Sequence, residues 1–334
     1  MKRLLASLLL GQSLDAAPAW AQKKEKVVAS WLPIMQTMAF YVALEEKLFE
    51  KAGIEVEAVK FQNPNQIIES LVSGQADFGP PGAAAGITVL AESRYPGTFK
   101  VFGLQGGSIK AGFINDGLIV RLDSPIQSFK DLKGKTAGTV PGIQWKTIFR
   151  YILRQNGLDP DKDVRLTEIA VPLQVPSVVA GTVDATLSLE PVGSIAEASK
   201  QARRAITNPV AVHIADPFYS GAAVLSTKFL KERPEVAKKV VEILDQATKM
   251  ANESFDKYRP IIPKYTAIKP DQVQHVAQPY LRGFKDLNET DLNSYQAFVD
   301  VFWKEGVLKE RMDVRKLILK PSDLGIQVGA ASGK

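Results

Sequence analysis

The chain is predicted to be an α/β protein of two lobes, on three observations. Short apolar or β-branched runs alternate with segments of helical periodicity, the pattern of a parallel or mixed sheet covered by helices. Glycines close helical segments at Gly53, Gly74 and Gly157, where a chain leaving a helix turns left-handed. The alternation restarts near Ser128, and from about residue 225 it yields to mainly helical segments that need a partner surface.

Residues 27–30 are the first expected strand, 31–36 a loop holding Pro33, and 37–52 a helix with Phe40, Ala43, Leu44 and Leu48 on one face. A strand over 54–61, a helix over 65–73, a short strand over 76–78 and a helix over 83–92 follow. Further strands fall at 99–104 and 117–121. The second unit has a helical turn at 128–132, a strand at 135–139 and a turn at Pro141-Gly142. A helix at 145–155, a strand at 164–169, a helix at 173–180, a strand at 185–188 and a helix at 191–201 complete it. His213 falls in an apolar run, 210–214, read as a strand. Helices over 235–257, 269–282 and 292–305 then return to the first unit. The chain is thus expected to cross between lobes near 120–125 and 220–226, with lobe 1 from 22–122 and 224–334 and lobe 2 from 123–223.

Residues 1–21 have the layout of a cleavable export signal. Lys2 and Arg3 precede a short apolar run at 4–10, and Ala19-Trp20-Ala21 offers a small-x-small cleavage site. That run falls well short of the roughly 20 residues a membrane span needs. A periplasmic location follows as the expectation. The roughly 310 residues after cleavage suffice for one large or two medium domains.

The composition excludes several classes. The chain has no cysteine, which removes a lipobox, disulfides, thiolate catalysis and Cys-based metal sites. The net charge of +6 is spread over 42 Lys and Arg set beside 36 Asp and Glu, so no basic tract marks a nucleic-acid partner. Only His213 and His275 could supply imidazole chemistry, and they are far apart in sequence. Neither GxxxxGK[ST] nor GxGxxG occurs. A binder is favoured over an enzyme, with neither cofactor nor metal expected.

Five segments in order carry a family resemblance: ALEEKLFEKAGIEV at 43–56, LVSGQADFG at 71–79, SFKDLKGKTAGTVPG at 128–142, FLKERPEVAKKVVEILDQA at 229–247 and FVDVFWKEGVL at 298–308. With them the chain resembles periplasmic solute-binding proteins of the nitrate/sulfonate/taurine class of ABC importers, including the branch similar to thiamine-pyrimidine precursor proteins. It departs from that pattern at Lys47, where the family usually has Gly. The resemblance implies the two-lobed periplasmic binding protein fold (type II), with two crossing strands as hinge and C-terminal helices packed on lobe 1. It also implies closure on a small solute, a permease with its ATPase as partner, and a monomer. The Cys-rich motif of a pyrimidine synthase sharing this fold cannot exist here.

In open α/β sheets, ligands sit beyond the C-terminal ends of strands, where helices begin and unpaired backbone N–H groups favour anions. Four such junctions are legible, at 31–37, 79–83, 139–145 and 189–193. From them come the candidate ligand residues. The first offers Trp31, Met35 and Gln36, and the second the small apolar turn Pro80, Pro81 and Gly82. The third offers Thr139, Gly142, Gln144 and Trp145, and the fourth Glu190; Tyr219 joins from the return crossing. Micromolar affinity corresponds to about −8 kcal/mol, more than a few helix-terminus contacts of roughly 0.3–2 kcal/mol supply. Burial against aromatic walls is therefore expected, which favours an organic sulfonate or carboxylate. An amino-pyrimidine read by Glu190 ranks second, and nitrate or bicarbonate third.

Overall fold

The structure, a computed structural model, describes residues 24–326, so the expected signal segment lies outside the described residues. Eleven strands are described: β1 Glu25–Trp31, β2 Ile54–Lys60, β3 Phe78–Ala84, β4 Phe99–Gly107, β5 Asp116–Arg121, β6 Thr136–Thr139, β7 Arg165–Glu168, β8 Ala185–Leu189, β9 Ala202–Thr207, β10 Phe218–Ser226 and β11 Tyr280–Arg282. They form two sheets, of order β11-β4-β10-β3-β1-β2 and β7-β6-β8-β5-β9. Each sheet is the centre of one lobe.

The parallel pairs β1–β2 and β6–β7 are joined by helical crossovers, as parallel strands require. The strands that return from the other lobe, β10 and β5, run antiparallel to their neighbours. All nine residues of β10 are buried, consistent with a strand covered on both faces. The helices that matter for the site are α1 Met38–Glu45, α2 Pro64–Val72, α3 Ala85–Arg94, α4 Ile143–Gln155, α5 Val192–Ser199, α6 Pro234–Glu253 and α7 Glu289–Lys304. Helix α6 buries Ala237, Val240, Val241, Leu244 and Ala247 in the lobe 1 core with α1. Helix α7 lays Phe298 and Phe302 against α3 so closely that a side chain at Gly86 would meet the Phe302 ring at 2.5 Å.

Several expectations are corrected. Sheet membership changes between Gly107 and Asp116 and again between Thr207 and Phe218, so both crossings come earlier than 120–125 and 220–226. An apolar run such as 117–120 names a buried strand but not which sheet it joins. Here it lies between β8 and β9. Strand β9 was not foreseen, and the run 210–214 falls mostly in a short helix, Pro209–His213. The helix expected over 37–52 is broken by Lys47, whose backbone is left-handed at φ 53°. The helix expected over 269–282 is a 3-10 segment, Pro270–His275, followed by β11, because Pro279 holds Gln278 out of helical geometry.

The lobes are in contact. One buried apolar cluster contains Ile67, Ile87 and Phe298 of lobe 1 and Trp145, Ile148 and Phe149 of lobe 2. Arg154 on α4 forms an ion pair with Glu305 at the end of α7. On the far rim, Ala277 N–H donates to Ser194 Oγ at 3.2 Å.

Candidate ligand cleft between the lobes

Polar groups from five segments meet between the sheets. Gln144 is the second residue of α4, and its Oε1 accepts the Gly86 N–H in the first turn of α3 at 2.7 Å. Its Nε2 donates to the Ser220 carbonyl on β10 at 2.9 Å. From the other side, Gln36 Nε2 donates to Asn115 Oδ1 at 2.7 Å and lies 3.3 Å from Ser220 Oγ. Ser220 Oγ in turn donates to Asn115 Oδ1 at 3.2 Å. Gln36 and Gln144, each 2 % exposed, therefore converge on Ser220 from opposite lobes. Gln36 Oε1 and Thr139 Oγ1 are buried without a hydrogen-bond partner among the described residues, an arrangement that costs free energy unless something else supplies one.

The local sequence builds each wall. Prolines are excluded from regular ladders but tolerated at bulges. Between the pairs Val224–Gly79 and Ala222–Ala83, β3 advances four residues while β10 advances two. Pro80, Pro81 and Gly82 fall in that irregularity, inside a strand where a plain turn was expected, and it feeds directly into α3. On the opposite wall, Gly142 caps α4 at φ 104°, a conformation closed to other residues. Its N–H faces Glu168 Oε2 at 3.3 Å. The N-termini of α3 and α4 are thereby brought to the same cleft.

The remaining candidates are placed as follows. Thr139 ends β6, buried beside that cap. Met35 is fully buried in the lobe 1 core. Trp31 packs edge-on against Tyr41 and Tyr265 at 5.6 and 6.1 Å, and its indole N–H is buried without a partner among the described residues. Trp145 is 2 % exposed in the cluster that joins the lobes. Tyr219 donates to Asp291 Oδ1 at 2.6 Å and stacks on Tyr280, away from Ser220. Glu190 is buried, ion-paired with Arg204 and accepting from Ser194 Oγ at 2.6 Å.

Asp116, at the end of the first crossing, is fully buried. Burial pushes its carboxyl up to about 7, against hydrogen bonds from Asn115 and Val210, and the neighbouring Glu190 charge adds to the rise. Neither histidine joins this set: His213 packs edge-on to Phe129, and its pKa is lowered by burial, while His275 is exposed. Among the described residues, no three His, Asp or Glu side chains gather as a metal would require.

Gly86, Asn115 and Ser220 were missed from sequence. With the helix start placed at 83 rather than 85, Gly86 was expected as the fourth helical residue, its N–H taken within the helix, whereas it is the second, with its N–H free of intrahelical bonding. Asn115 carried a signal, a buried amide in the apolar stretch before β5, but only the crossing gives it a function.

Two α/β lobes joined by two crossings, with polar groups of both meeting between them, define a two-lobed solute-binding protein. The chain belongs to the NMT1/THI5-like family, whose pattern matches residues 34–256. It is 27% identical over 277 residues to a Bacillus subtilis strain 168 protein named for binding aliphatic sulfonates, covering 82% of this chain and 79% of that one. Among solved structures, it matches the Escherichia coli periplasmic aliphatic sulphonate binding protein SsuA with a TM-score of 0.70 at 17% identity, over 90% of this chain and 99% of that one. The same fold is found in a desulfurization enzyme, DSZB, with a TM-score of 0.67 at 16% identity, over 90% of this chain and 98% of that one.

Proposed function

We propose that this protein captures a small organic anion, a sulfonate or carboxylate, between its lobes and delivers it in the periplasm to an ABC importer, a permease with its ATPase. One observation carries the proposal: the Gly86 N–H, at the N-terminus of a ten-residue helix, is taken by the oxygen of Gln144 from the opposite lobe. A neutral amide oxygen stands where an anion gains most from the helix dipole. The unpartnered Gln36 Oε1 and Thr139 Oγ1 mark the same cleft as one that lacks hydrogen-bond partners. Ligand bridging the two walls binds the closed form better and shifts the population toward it. Among the described residues, no helix is long and apolar enough to cross a membrane.

Glu190 supports no amino-pyrimidine reading, since its charge is already met by Arg204 and Ser194. An enzymatic role on this fold would need a nucleophile activated by a base, whereas Ser220 Oγ donates to the amide oxygen of Asn115 rather than to a carboxylate or imidazole.

The test is a thermal-shift panel of sulfonates, carboxylates, amino-pyrimidines and nitrate on the mature protein, refolded to strip carried-over ligand. A ligand at 100 times its Kd stabilises by about 2.7 kcal/mol. Shifts with organic anions are expected; a shift with pyrimidines alone would overturn the assignment.

A further inference from the structure

A chain of hydrogen bonds runs from the first crossing into the cleft. At one end is Asp116, whose Oδ2 accepts from Asn115 Nδ2 at 2.8 Å. Asn115 Oδ1 in turn accepts from Gln36 Nε2 at 2.7 Å and from Ser220 Oγ at 3.2 Å. The other end is Gln36 Oε1, buried and without a partner among the described residues. All four residues are buried. The backbone of Asn115 is held on both sides: its N–H donates to Asn208 Oδ1 at 2.8 Å, and its carbonyl accepts the Glu190 N–H at 2.8 Å. Only its side chain is left to turn.

The direction of every bond in this chain is set at Asp116. An ionised carboxylate only accepts, so Asn115 offers it the NH2 group and turns its own oxygen to Gln36 and Ser220. Gln36 then spends its NH2 group on Asn115, and its oxygen is left over. A protonated carboxyl has a hydrogen to donate. Asp116 Oδ1 still accepts the Val210 N–H at 3.1 Å, so the proton belongs on Oδ2, facing Asn115. Half a turn of the Asn115 amide brings its oxygen to that proton and its NH2 group to Gln36 and Ser220. Half a turn of Gln36 supplies the acceptor, and the Ser220 hydroxyl serves in either role. Each bond survives with donor and acceptor exchanged. The far end changes: an N–H now stands where the unpartnered oxygen stood.

The surrounding charges leave both states of Asp116 accessible. Glu190, at the end of β8, favours the protonated form, and its own charge is met by Arg204 of β9, which also pairs with Glu197 of α5. His213 ends the short helix that supplies the Val210 N–H, and its ring packs on Phe129. Asp216, in the second crossing, accepts the Ile109 and Lys110 N–H groups. From lobe 1, Gln36 and Ser220 bring no charge. Burial pushes the Asp116 carboxyl up to about 7, so both forms are populated near neutral pH.

We infer that Asp116 is a positioning residue whose protonation decides, through Asn115, whether Gln36 presents an amide oxygen or an amide N–H to the ligand, so that capture of an anion takes up one solvent proton at the crossing. The inference rests on the anion site proposed above and adds the regulation of that site. An anion meets a lone pair in the ionised state and a donor in the protonated one.

The experiment is calorimetric titration of the mature protein with ethanesulfonate, which stays ionised throughout, from about pH 5.5 to about pH 9 in buffers of different ionisation enthalpy. Affinity is expected to be level at the acid end and to fall roughly tenfold between about pH 6.5 and about pH 8.5, with uptake approaching one proton per ligand near pH 8. Asp116→Asn donates from its Nδ2 in place of the acid proton. Its affinity should stay at the wild-type acid level across the range, with no proton uptake. Gln36→Met removes the group that reads Asp116, so the pH dependence of affinity should disappear while that of stability remains. Wild-type affinity independent of pH, or release of a proton, overturns the inference while leaving the anion site standing. A pH dependence kept in Gln36→Met overturns it too, since the Asp116 charge would then act directly across space. If neither ethanesulfonate nor acetate binds at any pH, the anion site itself fails and the inference falls with it.

Discussion

The side chain of Gln144 satisfies two backbone groups of the opposite lobe at once: its oxygen accepts the Gly86 N–H at 2.7 Å, and its nitrogen donates to the Ser220 carbonyl at 2.9 Å. Closure is thus stabilised by the protein's own amide in the place assigned to the ligand, and a solute entering the cleft must displace it.

Gln144→Glu tests that exchange. The carboxylate keeps the Gly86 contact, strengthens it by charge and loses the donor to Ser220. An incoming anion would meet a fixed negative charge at its own site. Its affinity should fall at least tenfold, about 1.4 kcal/mol, in a direct titration. Equal affinity in the wild type and this variant would remove Gly86 from the head-group site.

Trp145→Ala should report on stability first. The ring is 2 % exposed in the cluster joining the lobes, and truncating a buried aromatic costs about 3–5 kcal/mol. Urea unfolding with ligand absent should show that loss. Wild-type stability combined with lost ligand affinity would instead make Trp145 a pocket wall.

Asp116 predicts a pH dependence of stability. Its folded pKa, about 7, lies above its unfolded value of 3.8. The native state therefore holds the proton more tightly than the unfolded one, and stability falls as pH rises between those values. Above pH 7 the full cost of a buried carboxylate is felt. Asp116→Asn keeps an acceptor for the Val210 N–H, which donates to Asp116 Oδ1 at 3.1 Å, and removes the charge. The variant should be more stable than wild type at pH 8 and nearly equal to it at pH 4 by chemical denaturation. A wild-type profile unchanged by the substitution would assign the dependence elsewhere.

Lys47→Gly should stabilise. Lys47 is exposed and left-handed at φ 53°, which costs a side-chain-bearing residue roughly 1–2 kcal/mol, partly offset by the larger entropy glycine loses on folding. A net gain of about 0.5–1 kcal/mol in urea unfolding is expected; destabilisation would show that the Lys47 side chain contributes more than its backbone costs.

The departure at Lys47 was legible in the sequence, but the reason for it was not: a left-handed break in what otherwise reads as one helix over 37–52. Gln36 and Gln144 were legible for a similar reason, since each lies where a strand hands over to a helix. Trp31 and Trp145 were chosen as rings near those junctions, and periodicity could not distinguish a ring facing the cleft from one facing the core. Glu190 was read as a free acid because Arg204, fourteen residues away on the unforeseen β9, became its partner only through sheet pairing.

By itself the sequence determined the α/β class, the two-lobed arrangement, the family pattern and the strand–helix junctions from which the proposed ligand site is built. These follow from local periodicity, turn chemistry and helix ends, which act over a few residues. Only the tertiary structure decided where the chain crosses between lobes, and that Gly86, Asn115 and Ser220 share a cleft with Gln36 and Gln144. Those relations join residues separated by up to 184 positions. They are set by which strand pairs with which and by how closely α7 packs on Gly86, and no local run of residues encodes either.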